Sequence, residues 1–325
     1  MIIDVHNHFY PEEYIKAIEK GPSFYKVTYD KDNNPVIHSP GDYNVAVPGH
    51  RSMEVRLEMM EKEGIDKNVF SFTCPGTVVE TPERSVELSK MVNDAFAKIK
   101  AKYPDRLVPY ATLPLNDPAA SVKELERAMN VLGFPGVMVY SNVSYVALSD
   151  LCYEPLWKKA NELNAVIHIH PTYPQGVEAM ETFMLMPLIG FLMDTTLAAA
   201  KLVFAGVPER YPNIRWVLGH LGGAIPYLAE RLDRGYEAFE DNRKHITRPP
   251  SEYLKKFYYD TVNFDKDSLQ LAVAFAGPGQ ILAGSDYPHM IGSVPKMKSS
   301  LQSLSISPAD RERILGENSR ELMGL

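Results

Sequence analysis

Residues 2–8 read Ile-Ile-Asp-Val-His-Asn-His, a short apolar run that closes on His6 and His8. Side chains two apart on a strand share a face, so a strand here aims both imidazoles at one point at its end. Two neutral imidazoles directed at one point make a cation site. In the last third of the chain, Ala283-Gly-Ser-Asp286-Tyr-Pro288 places a carboxylate, Asp286, just after another apolar run. A metal-dependent chemistry is therefore the first expectation.

The remaining histidines follow the same habit. His168 and His170 close a fifth apolar run, His220 closes a sixth, and His289 follows Asp286 by three residues, whereas His38, His50 and His245 fall elsewhere. His168 and His170 share a face, so spacing alone does not choose between them. Pro171 stops the strand and puts His170 at its rim, which leaves His168 deeper, in a packing or supporting role. His6, His8, His170 and Asp286 then offer three nitrogens and one carboxylate to a single divalent ion and leave a position open for water or substrate. Zn²⁺ suits so nitrogen-rich a set, and Mn²⁺ is compatible with it. His220 lies in Leu218-Gly-His-Leu-Gly-Gly-Ala-Ile-Pro226, where glycines open the next helix and let backbone approach the site. It is either a fourth nitrogen ligand or a proton-transfer group. Asp260 either orients a ligand histidine or bonds a neighbouring strand end.

The elements that would hold these groups alternate regularly. Strand-like runs fall at Ile2–Val5, Asn68–Phe72, Leu107–Thr112, Gly136–Tyr140, Ala165–Ile169, Arg215–Leu218, Phe257–Tyr259 and Gln280–Ala283, separated by amphipathic segments such as Pro82–Lys102 and Ile225–Glu240. A final helix over Pro308–Met323 starts behind Ser307, a good N-cap. Eight such alternations predict an α/β fold of the (β/α)₈ TIM-barrel type, one domain over residues 1–325. A doubly wound sheet is the rival, but no glycine-rich phosphate turn follows the first strand. Residues 21–50 break the rhythm. Tyr25, Val27 and Tyr29 alternate with polar residues before a turn at 30–34 and a second run, which predicts a β-hairpin inserted after strand 1 over the barrel mouth.

Composition excludes several partners. A formal net charge of -7 without a basic run argues against nucleic acid. The apolar stretch 183–206 is interrupted by Pro187, Asp194 and Lys201 and reads as a buried helix, not a membrane span. A strand starting at Ile2 leaves no room for a signal peptide. Two cysteines, Cys74 and Cys152, support no disulfide framework and point to a reducing, cytoplasmic setting.

Taken jointly, Asp4-Val-His-Asn-His8, Leu132-Gly-Phe-Pro-Gly-Val137, His170-Pro171, Gly219-His-Leu-Gly-Gly-Ala224, Tyr259-Asp-Thr261 and Gly284-Ser-Asp-Tyr-Pro288 resemble the amidohydrolase-superfamily decarboxylases related to 2-amino-3-carboxymuconate-6-semialdehyde decarboxylase. The resemblance covers most of the chain. It implies a TIM barrel, a metal held by His6, His8, His170 and Asp286, and His220 as catalytic base. It also implies a homodimer in which Arg231 reaches the neighbouring site to hold a substrate carboxylate. Binuclear barrel hydrolases use a modified lysine on strand 4; Gly136–Tyr140 contains none, which argues for one ion. The chain departs from the pattern at Leu221, which interrupts the glycine run, and in an insert with no arginine before Arg51, the other candidate carboxylate clamp. The expected activity is non-oxidative decarboxylation of an aromatic or unsaturated carboxylic acid, with a metal water, His220 and Asp286 handling protons. Hydrolysis of a lactone, ester or amide by the same ligand set is the alternative.

Overall fold

The computed structural model describes residues 1–39 and 42–325; residues 40–41, within the predicted 21–50 insertion, lie outside the described residues. The fold is mixed α/β. Strands β1 (Ile3–His8), β2 (Lys67–Ser71) and β3 (Leu107–Pro109) form one parallel sheet. Strands β4 (Gly136–Tyr140), β5 (Val166–His170), β6 (Arg215–Leu218), β7 (Tyr258–Asp260) and β8 (Ile281–Leu282) form a second, and within each sheet every strand pairs with the next in sequence. Single parallel bridges link the two sheets at both margins, Ala111 with Val137 and Asn7 with Tyr287.

The parallel strands are apolar because both their faces are covered. All residues of β1, β4 and β5 are buried. Fully buried Val69, Val137, Val166, Leu218 and Ile281 contribute about 1.5–3 kcal/mol each. The connecting helices start where side chains satisfy the first free N–H groups. Thr81, Asp117, Asp265 and Ser307 each accept from a backbone N–H three residues on. Such a cap is worth about 1 kcal/mol.

Four features differ from the sequence expectation. First, β1 extends through His8 instead of ending at Val5. Asp4 faces Asn68 while Asn7 faces Phe70, so β1 spends one residue more than β2 over this stretch. That bulge falls on Val5–His6, and bulges re-aim side chains. Second, a helix at Glu12–Lys20 precedes the insertion; it buries Tyr14, Ile15 and Ile18 on one face. Third, the insertion has three antiparallel strands, Lys26–Tyr29, Pro35–Ser39 and Asp42–Val45, one more than a two-stranded hairpin. It packs on the loop that leaves the carboxyl end of β2, with Asn44 Nδ2 donating to Cys74 O (2.9 Å) and Tyr25 Oη to Pro75 O (2.9 Å). Fourth, the helix Phe191–Phe204, expected to be buried, is buried on one face only. It buries Asp194, Thr195, Ala199 and Leu202 and exposes Met193 and Leu197. With the preceding turn, Met186–Phe204 is long and apolar enough to cross a membrane. Its Asp194 carboxylate is tied instead to Ser141 and Asn142, just past β4.

One buried cation organises the end of β1. Arg56, on the helix Met53–Glu63, is fully buried. Its guanidinium donates to Asn7 Oδ1, Asn68 Oδ1, His8 O and Gly49 O, and so joins β1, β2 and the insertion's end. Replacing it strands several buried acceptors at once. Arg56→Met is expected to lower unfolding stability by about 3 kcal/mol, read as a lower denaturant midpoint.

Candidate active site

At the carboxyl ends of β1, β5, β6 and the run after β8, five polar side chains meet. His6, His170, His220 and Asp286 each present a ligand atom, all within 4.8 Å of one another. His8 Nε2 lies 3.1 Å from His6 Nε2 and 3.2 Å from Asp286 Oδ1. All five residues are buried. The period-2 spacing of His6 and His8 brings both imidazoles to this point from a single strand.

The outward nitrogens set the tautomers. His6 Nδ1 lies 2.5 Å from Asp260 Oδ2, and His170 Nδ1 lies 2.8 Å from Pro171 O. Both oxygens only accept, so each Nδ1 carries the proton and each Nε2 turns a lone pair inward. Ser71 donates its hydroxyl to Asn7 O (3.3 Å), which leaves its oxygen to accept from His8 Nδ1 at 3.1 Å. His8 therefore also turns Nε2 inward. Three lone pairs and a carboxylate at these separations repel one another unless a cation lies among them, and nitrogen with carboxylate oxygen is a donor set that divalent zinc and manganese accept. The residues fit a single divalent ion.

Asp260 is the support beneath the cluster. Besides His6, its carboxylate accepts the backbone N–H groups of His220 (3.1 Å), Leu221 (3.0 Å) and Val262 (3.0 Å). These bonds stabilise a left-handed backbone at His220 (φ 52°) and Leu221 (φ 57°), a conformation that non-glycine residues adopt at a cost of about 1–3 kcal/mol. His220 Nε2 is carried to 3.8 Å from Asp286 Oδ2. Gly284 permits the close packing here, since a Cβ on it would lie 2.9 Å from His6 Cβ and 3.1 Å from Asp260 Cβ. Asp4 clamps the other side of β1, accepting from Ser285 Oγ at 2.6 Å and Ser285 N at 3.0 Å.

Electrostatics follow from burial and pairing. Burial pushes the Asp260 carboxyl up, but the charge and hydrogen bond of His6 outweigh it and hold the group down at about 2. Burial alone would lower His6, yet the Asp260 carboxylate raises it above its ordinary value. Burial drives His8 and His170 well below the ordinary histidine value and His168 down to about 3. Asp286 is pushed up by burial but held well below the usual carboxylate range by its bonds to His220 and His8.

The other residues singled out by sequence fall outside this cluster. His168 sits behind it, against His6 (ring centroids 5.0 Å apart) and 3.9 Å from Asp260 Oδ2. Arg51 donates to Ala46 O (3.0 Å) and Asn34 Oδ1 (3.2 Å), so it ties the insertion together. Arg231 is exposed and makes no hydrogen bond or ion pair among the described residues. By sequence His50 falls outside the strand-end pattern. The structure places its ring 4.9 Å from that of His289, which in turn lies 4.9 Å from His8. The one sequence cue was Val47-Pro-Gly-His50, a turn able to bring the insertion's end back over β1.

Asp260 also gives a pH test. Its folded value, about 2, lies below the ordinary 3.8. Its contribution is thus present above the ordinary value and lost as pH falls through the folded one. The metal-free protein is expected to lose roughly 2 kcal/mol across this window, and Asp260→Asn to flatten that part of the stability profile, measured by denaturant unfolding at stepped acid pH.

Comparison with known proteins places this geometry in a lineage. The Amidohydrolase family profile matches residues 3–325. The chain is 29% identical over 276 residues to a 2-amino-3-carboxymuconate-6-semialdehyde decarboxylase from Dictyostelium discoideum, covering 84% of this chain and 76% of that protein. It is 30% identical over 306 residues to a gamma-resorcylate decarboxylase from Rhizobium sp. (strain MTP-10005), covering 88% and 92%. Among solved structures it is similar to a dihydroxybenzoic acid decarboxylase from Polaromonas sp. JS666 with bound manganese and 2-nitroresorcinol, with TM-score 0.84, 25% identity and coverage of 100% and 97%. The chain belongs to the amidohydrolase family.

Proposed function

We propose that this chain is a metal-dependent, non-oxidative decarboxylase, a carbon–carbon lyase acting on an aromatic or unsaturated carboxylic acid. The observation that carries the reading is the joint one of a buried His6–His8–His170–Asp286 set with His220 beside it, in a chain similar along most of its length to decarboxylases. The hydrolase alternative has no comparable support among these relatives. One divalent ion fits the set. Zinc is favoured by three nitrogens, and manganese by the Polaromonas relative. The architecture is read as a (β/α)₈ barrel, because the two sheets are bridged at both margins, with the 21–50 insertion over its mouth.

Cleaving a C–CO₂⁻ bond leaves an electron pair on carbon, so that carbon must be protonated as the bond weakens. When bound, the ion supplies a Lewis acid that orients the acid through its oxygens and offsets developing charge. His220 is the proton carrier. Its left-handed turn, fixed by Asp260, aims the imidazole at the space in front of Asp286; the ring gives its proton to the carbon that loses CO₂ and takes up one proton from water before the next turnover, with the Asp286 carboxylate beside it favouring the charged ring. Asp260 holds the His6 proton on Nδ1 and so keeps Nε2 directed inward. Burial of the whole set excludes bulk water, which favours CO₂ loss over attack by water.

With Arg51 committed to the insertion, the substrate carboxylate clamp is assigned to Arg231 in a homodimer, where an exposed, unpaired guanidinium on the helix Ile225–Ala238 reaches the adjoining protomer. Exposed Leu188, Met193, Leu197 and Tyr227 supply apolar surface for such a contact.

Metal-loaded protein is expected to release CO₂ from a ring-hydroxylated benzoate in a screen of aromatic and unsaturated acids. Solvent ¹⁸O appearing in a new carboxylate, with no CO₂, would overturn the reading in favour of hydrolysis. His220→Asn is expected to cut kcat by about 10²–10⁴-fold while metal content by elemental analysis is retained. Asp260→Asn is expected to weaken binding of added Zn²⁺ by about 10–100-fold in a calorimetric titration, since His6 loses its orienting partner.

A further inference from the structure

Two histidines lie next to the cluster but have no part in the mechanism above. The ring of His289 packs against His8 on one side and His50 on the other, and its Nε2 is 3.5 Å from Thr73 Oγ1. His289 keeps partial exposure where the ligand histidines are sealed, so it stands at the approach to the site. His50 behind it is 1% exposed, and neither of its ring nitrogens has a hydrogen-bond partner among the described residues. Both backbones are pinned. Tyr10 N donates to His50 O at 2.6 Å, and His289 N donates to Asp286 O at 3.0 Å. Gly49 seats the His50 turn against the loop after β8, since a Cβ there would lie 2.5 Å from Tyr287 Oη.

A buried polar group without a partner calls for an explanation. Packing alone would be served better by an aromatic hydrocarbon, as at the buried Phe9 and Phe72. A neutral imidazole offers one donor and one acceptor, which is the complement of a hydroxyl group. Burial holds His50 well below the ordinary histidine value, so its ring is in that neutral form. The pair also runs outward from His8 and Asp286, on the β8 side of the cluster, whereas His220 approaches from β6. His289 and His220 therefore both border Asp286 from different elements, and an acid held at the cluster has His289 within reach as well as His220.

We propose that His289, backed by His50, forms a polar subsite that hydrogen-bonds an oxygen substituent of the substrate, a phenolic hydroxyl or conjugated carbonyl, and so selects oxygenated acids over plain ones. This rests on the decarboxylase reading for the placement of the acid, and the test is a binding measurement that does not depend on turnover. His289 also lies with His8 and Asp286 in a group close enough to hold a cation. Metal content therefore has to be read alongside binding.

The experiment is calorimetric titration with 2,6-dihydroxybenzoate and with benzoate of metal-loaded protein carrying His220→Asn throughout, so that the acids bind without turning over, using the otherwise unaltered chain, His289→Phe, His289→Gln and His50→Phe. The unaltered chain is expected to prefer the dihydroxy acid. His289→Phe should weaken its binding by about tenfold, the worth of one hydrogen bond, while changing benzoate binding by less than about twofold. His289→Gln should restore part of the preference, and His50→Phe should lower it in the same direction. Metal content should be unchanged in all variants. Equal losses for both acids, no preference in the unaltered chain, or a fall in metal content in His289→Phe would each overturn the proposal. If His50→Phe does not fold, the partly exposed His289 carries the test alone. Selectivity in these titrations, with no CO₂ released by the chain that keeps His220, would leave the subsite standing and remove the decarboxylase reading.

Discussion

A single buried carboxylate holds the site in register. Asp260 has no exposure to water, and an unpaired charge so placed would be prohibitively costly. It is offset by four donors: the His6 imidazole and three backbone N–H groups from the turns after β6 and β7. Charge-assisted bonds of this kind are roughly twice as strong as neutral ones. Their effect is geometric as much as energetic. The same oxygens that fix the proton on His6 Nδ1 hold the turn that presents His220, so the lone pair of one histidine and the orientation of another depend on one side chain. The stability given up at the left-handed His220–Leu221 backbone is recovered in the bonds that impose it.

The sequence makes the cluster legible because strand geometry is simple. A period of two brings His6 and His8 together, Pro171 marks the end of β5 at His170, and an apolar run followed by Asp286 marks the end of β8. The alternation of elements is legible for the same reason, since parallel strands covered on both faces leave short apolar blocks between amphipathic ones. What escapes is whatever depends on a partner distant in sequence. The bulge at Val5–His6 exists only relative to the length of β2. His50 looks like any loop histidine until the insertion folds back on β1. Arg51 draws attention at the insertion's end, yet the structure spends it on Asn34 and Ala46 and buries Arg56, which no spacing in the sequence singles out. The short helix Glu12–Lys20 escapes because only three of its side chains are buried.

Chemistry and recognition are carried by different parts of the chain. In the proposed reading His6, His8 and His170, which would hold a cation, sit on strands whose neighbours fix the backbone, while His220 and Asp286 sit in the first turns after β6 and β8. The groups around them come from the three-stranded insertion, from the turn at His50 and from the loop after β8. Loops on a rigid scaffold can change without disturbing the frame beneath. This division accounts for relatives that keep about 30% identity while their names specify different acids.

Arg56 has a consequence beyond stability. The chain as a whole is negative, by a formal seven charges, and a carboxylic acid is an anion at neutral pH. Seen from a distance, protein and acid repel. Arg56 keeps its positive charge in a fully buried position and bonds only amide and carbonyl oxygens, so no carboxylate pairs with it directly. Its field is felt along the wall formed by His8, Gly49 and Tyr287 and is weakly screened there, while charges on the outer surface fade over about 8 Å in physiological salt. The overall charge offers an anion no pull from afar, and the favourable field of Arg56 is a short-range one.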